Sequence, residues 1–162
     1  MKDVPVADLF ILSDTVKETI AHWLKKYPAD QKQSAVVAAL LAAQAQNNGW
    51  LSDAVIKAVA VHLDLPVIVV AEAATFYDMF NLKPIGQFKI NVCTNLACQL
   101  RGSDDIVNTI KSRLGIEVGQ TTADGRFTLR ESECLAACVD APMCQINDQH
   151  CHASLTPERM LS

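Results

Sequence analysis

A change of period at "PIG", residues 84–86, constrains this chain more than any other feature. Before it, apolar residues recur every three or four positions; after it, they alternate. A helix brings its apolar face round every 3.6 residues and a strand every two, so one kind of element cannot satisfy both patterns. The chain is therefore expected to be α+β, with an N-terminal helical bundle over residues 1–84 and an α/β domain over residues 85–162.

The first half reads as four helices, at residues 14–26, 30–46, 52–63 and 67–80. Ser13 and Ser52 stand where N-caps belong, and Pro66 where a fourth helix can begin, because its missing N–H costs nothing in a first turn. In the third helix, Ala54, Ile56, Val59, Ala60 and Leu63 form a stripe that has to be buried. The run "AVVAALLAA" is about half of the ~18–20 residues that cross a bilayer, so it reads as a buried face rather than a span. In "ATFYDMF", Phe76 and Phe80 read as core filling, while Thr75 and Tyr77 have polar tips that suit a surface facing a partner.

In the second half, "QFKINVC" sets Phe88, Ile90 and Val92 against Gln87, Lys89 and Asn91, the pattern of a strand buried on one face and closed by Cys93. Ser103, Asp104 and Asp105 then open a helix whose inward stripe is Ile106, Ile110 and Leu114 and whose stop is Gly115. "ADGRFTLRESEC" supplies a turn and a second strand that ends at Cys134. Shorter strands, "MCQIN" and "HCHAS", flank a turn at Asp148 and Gln149, and Thr156-Pro157-Glu158 opens a final helical turn.

Of six cysteines, four form two pairs: Cys93 and Cys98 with four residues between them, Cys134 and Cys138 with three. The start "MKDVPVADLF" lacks the cationic and apolar stretches of a secretory signal, so a reducing cytosol is expected. Disulfides do not persist there, and the Cys-x-x-Cys of a thioredoxin-type redox pair is absent. Four thiolates so gathered point to a metal centre. Their spacing admits structural zinc as well as a [2Fe–2S] cluster, and the unequal loops favour the larger body. A net charge of −4 with scattered Lys and Arg gives no footprint for nucleic acid or anionic lipid. His22, His62, His150 and His152 are dispersed and no Gly-rich phosphate loop occurs, so no catalytic acid, base or nucleophile is expected.

"ATFYDMF", "VCTNLACQLRG", "GQTTADGRFTL" and "ECLAACVDAPMCQIN", in that order, resemble the thioredoxin-like [2Fe–2S] subunits of NADH dehydrogenases, the NuoE or 24-kilodalton family of complex I. The likeness runs over about residues 44–160. It implies a thioredoxin-like domain over residues 85–162, with Cys93, Cys98, Cys134 and Cys138 as ligands of a [2Fe–2S] cluster. It also implies an electron-transfer subunit of NADH:quinone oxidoreductase. FMN and NADH would bind a larger flavoprotein subunit, which the helical half is expected to help secure. The assembly would be peripheral on the cytoplasmic side of the inner membrane. Homologous subunits serve the diaphorase modules of soluble NAD-linked hydrogenases and formate dehydrogenases. A zinc-stabilised adaptor is a reading from another class.

The chain departs from the family pattern in two places. Ala136 stands where many relatives have Gly, at a cost on the order of 1 kcal/mol if that φ is positive. Cys144 and Cys151 match no ligand position and read as small strand residues, although Cys144 is close enough in sequence to Cys138 for a ligand swap. Backbone N–H groups in residues 94–97 and 135–137 are the expected donors to sulfur. Arg101 is expected either to bring positive charge near the cluster or to lie at solvent or an interface.

Overall fold

A computed structural model describes residues 9–161. The chain divides into two compact units between Pro84 and Ile85. Helices α1 (Asp14–Leu24), α2 (Val36–Gln46), α3 (Asp53–Leu63) and α4 (Val67–Phe76) build the first. The hydroxyls of Ser13 and Ser52 accept from the amides of Val16 and Val55, each at 3.3 Å, and so cap α1 and α3. Val36, Ala39, Leu40 and Ala43 of α2 and Val55, Val59 and Leu63 of α3 recur at helical spacing. They close on one core with Ile20, Val70 and Phe80.

Two of the expected helices differ from the sequence reading. The second is preceded by a separate 3-10 turn, Lys32–Ala35. The fourth stops at Phe76, and Tyr77 is extended at φ −88° and ψ 129°. The cause is Gln44, a buried residue of α2. Its Nε2 donates to the Met79 carbonyl at 3.1 Å, and its Oε1 accepts from the Asn81 amide at 2.8 Å. Asn81 is held further through its Nδ2 to the Gly49 carbonyl at 2.8 Å. These bonds replace the ones another helical turn would make. They seat Phe80 in the core and leave Phe76 78% exposed, against the expectation that it fills the core.

The second unit holds a four-stranded sheet in the order β2-β1-β3-β4, built from β1 (Phe88–Cys93), β2 (Phe127–Ser132), β3 (Cys144–Ile146) and β4 (His150–His152). β1 and β2 are parallel, β3 runs antiparallel to β1, and β4 antiparallel to β3. Between β1 and β2 lie α5 (Leu96–Gln99) and α6 (Ser103–Leu114), and α7 (Pro157–Leu161) follows β4. Ile106, Val107 and Ile110 of α6 pack with Ile90, Val92, Leu129 and Cys144. Gly86 is required where the chain enters β1: a Cβ there would lie 2.9 Å from the backbone of Arg126 and Phe127. On the other side of β1, Lys89 is 1% exposed and pairs with Asp148 at 2.7 Å, while Asn91 Nδ2 donates to the same carboxylate at 2.7 Å. No helix among the described residues is long and apolar enough to cross a membrane.

Candidate metal centre

The parallel pairing of β1 and β2 sets the site. Cys93, the last residue of β1, lies opposite Ser132, the last of β2, and the Thr94 amide donates to the Ser132 carbonyl at 3.0 Å. Both thiol-bearing loops therefore leave the sheet side by side at one end. The first loop turns at once into α5, capped by Asn95, whose Oδ1 accepts from the Leu96 amide at 2.9 Å; this short helix was not expected, and it carries Cys98. The second loop carries Cys134 and reaches a 3-10 turn, Cys138–Asp140.

Cys93 and Cys98 are buried with Ala141 and Met143, and Leu135 and Ala137 pack against them. Cys134 and Cys138 are exposed. Burial is the main cause raising the Cys98 thiol above its ordinary pKa, joined by a hydrogen bond with Cys93 and by charge on Cys93 and Cys138. A backbone hydrogen bond with Met143 works the other way and favours the thiolate. Cys93 and Cys138 are thus close enough to Cys98 to oppose its ionisation, a repulsion that positive charge between them would relieve. The Ala136 amide donates to Cys134 Sγ at 3.4 Å, and that turn places Ala136 at φ 58°, the left-handed conformation anticipated for this position.

Among the described residues, no three His, Cys, Asp or Glu side chains gather as a single metal ion requires. The two loops present a buried thiol pair and two exposed thiols, with backbone N–H groups of Met143 and Ala136 directed at sulfur. A donor set of thiolates alone, supported by amide donors, fits an iron–sulfur body.

Of the expected amide donors, Ala136 is in place, but the amides of Thr94 and Leu96 bond to Ser132 and Asn95. The Met143 donor was missed. A backbone amide has no residue signature, and only the fold shows that this one faces Cys98. Ser103 Oγ, at the start of α6, is fully buried and has no partner among the described residues. Arg101 Nη1 donates to the carbonyls of Val139 at 3.3 Å and Ala141 at 3.2 Å, so the guanidinium is tied to the second thiol loop. Cys144 pairs across from Val92 and belongs to the core beneath α6, where burial, with a smaller effect of Cys151, pushes its pKa up to about 11. Cys151 is exposed and accepts from Gln145 Nε2 at 3.8 Å, and His150 and His152 are exposed on the same strand.

A family model for the thioredoxin-like [2Fe–2S] ferredoxins matches residues 20–162. The E subunit of NADH-quinone oxidoreductase from Rickettsia bellii (strain RML369-C) is 52% identical over 137 residues, which are 85% of this chain and 81% of that protein. The mitochondrial NADH dehydrogenase [ubiquinone] flavoprotein 2 of Dictyostelium discoideum is 50% identical over 125 residues, 77% of this chain but 51% of that protein. Among solved structures, NAD+-reducing [NiFe]-hydrogenase in the air-oxidized state aligns with a TM-score of 0.65 and 26% identity, covering 75% of this chain and 21% of that one.

Proposed function

We propose a function from one premise: the chain belongs to the thioredoxin-like [2Fe–2S] ferredoxin family. It is an electron-transfer subunit of an NADH:quinone oxidoreductase, and Cys93, Cys98, Cys134 and Cys138 hold its [2Fe–2S] cluster. Such a cluster, when bound, passes one electron at a time, whereas NADH gives a flavin a hydride worth two. The chain's own part is to hold and to expose. Cys93 and Cys98 anchor one side from within the protein, the Met143 and Ala136 amides face sulfur, and Cys134 and Cys138 lie open on the other side. The observation that carries this reading is the convergence of the two thiol loops at the shared end of β1 and β2.

FMN and NADH belong, in this reading, to a flavoprotein partner. Leu96, Leu100 and Val139, exposed at 65%, 79% and 88%, stand on the two thiol loops and form an apolar rim suited to docking it. Phe76 and Tyr77 offer a second exposed aromatic contact on the helical unit. The assembly lies against the cytoplasmic face of the inner membrane through its other subunits. Identity to the Rickettsia oxidoreductase protein favours this role over the diaphorase module of a hydrogenase or formate dehydrogenase. The likeness to the NAD+-reducing hydrogenase keeps that second reading in view.

Serine at each of the four cysteines, made singly in the full chain, is expected to drop iron and sulfide per chain to a small fraction of the parent's. Parental content in any one variant removes that cysteine from the ligand set. The two readings separate by what co-purifies: a quinone-reducing membrane complex, or else a subunit with hydrogenase or formate dehydrogenase activity. Replacing Phe76 and Tyr77 together by Ala should lower recovery of the flavoprotein, and unchanged recovery would exclude the helical unit from docking.

A further inference from the structure

Arg101 connects the two thiol loops at the points where their cysteines sit. Its own amide donates to the Cys98 carbonyl at 3.1 Å, which fixes its backbone to the first loop. Its Nη1 reaches the carbonyls of Val139 and Ala141, at 3.3 and 3.2 Å, on the 3-10 turn that begins at Cys138 and just past it. Carbonyls at the end of such a turn lack in-turn donors, and a charged, planar guanidinium satisfies them more strongly than a neutral group. The strand ends are joined separately, through the Thr94 and Cys93 amides to the carbonyls of Ser132 and Met143. Further out, Cys98 sits on the four-residue α5 and Cys138 opens the 3-10 turn. Although the second loop is tied to the residues after β4 through the Ser154 and Leu155 amides, no ladder hydrogen bond of the sheet joins these two segments to each other.

We infer that Arg101 is a positioning residue: a side-chain brace that sets the separation of the Cys98 and Cys138 thiols, and so the geometry in which the two loops hold their common ligand. The inference rests on the four-cysteine reading. It differs from a purely electrostatic role, in which any cation at this position would act by its charge. Arg can donate from one rigid, weakly hydrated group to both carbonyls, whereas Lys carries the same charge on a flexible and strongly hydrated stem.

The test compares Arg101→Gln and Arg101→Lys with the parent, each as the full chain purified anaerobically. The readouts are the rate of cluster loss under an iron chelator and the EPR line shape after reduction. The brace predicts loss about tenfold faster in the Gln variant, an intermediate rate in the Lys variant, and an altered line shape in both. Parental rate and line shape in both variants overturn it, even if the reduction potential moves. So does full parental behaviour of the Lys variant alone, since charge is then sufficient. If Arg101→Gln does not fold, the Lys variant carries the same comparison. If the parent holds neither iron nor sulfide, the ligand reading has failed. The brace is then judged by amide exchange over residues 134–141, which Arg101→Gln should accelerate about tenfold and which an idle side chain would leave unchanged.

Discussion

Cys93 and Cys144 lie on paired strands, yet their thiols meet opposite surroundings. Cys93 faces Cys98 and the loop of Cys134, whereas Cys144 is packed beneath α6 with its pKa raised to about 11. Cys144→Ala is therefore expected to keep parental iron and sulfide. It should also change how stability depends on pH. In the parent the unfolded chain ionises this thiol near 9.0 while the folded chain holds it neutral to about 11, so the stability it supports is intact below pH 9 and is lost as pH rises through that window. Urea unfolding at pH 8 and pH 10.5 should show the parent losing about 2 kcal/mol more than Cys144→Ala, and equal losses would contradict the buried-thiol account. At Ala136, φ 58° imposes a strain that Gly does not feel. Ala136→Gly should raise stability by about 0.5–1 kcal/mol without loss of cluster, and a decrease would mean the methyl has a packing role. The cysteines were legible in the sequence because a residue type marks them, whereas the conformational demand at Ala136 was raised only by the family resemblance, whose members often have Gly there. The Arg101 contacts and the Met143 donor were not, because their partners are backbone groups.

At the scale of elements, what the chain's own period decides was legible, and what a distant side chain decides was not. β1 alternates in residue type, although Lys89 and Asn91 on its polar face are buried too. α6 carries its own stripe and stop but no side-chain cap, since its N-cap is Gly102 and the Ser103 hydroxyl caps nothing. The run from Val67 to Phe80 has no breaker, and its end at Phe76 is imposed by Gln44. Gln44→Ala would leave the Met79 carbonyl and the Asn81 amide without that partner. The expected cost is about 2 kcal/mol in urea unfolding, and a change under about 0.5 kcal/mol would show that the turn holds without Gln44. α5 is four residues long, too short for a period to register, and only the Asn95 cap marks it.

In the whole molecule, a helical unit and a sheet unit divide between Pro84 and Ile85, where the period of the sequence changes. The sheet unit brings four of the six cysteines to two facing loops and leaves Cys144 in the core. The electron-transfer role proposed for this chain depends on those loops holding a two-iron body. The most direct measurement is the visible and EPR spectrum of the full chain purified anaerobically, with iron, sulfide and zinc counted on the same sample. The account predicts absorption between about 400 and 600 nm, about two irons and two sulfides per chain, and a rhombic signal that appears only on reduction. A colourless protein carrying one zinc and no sulfide would contradict it.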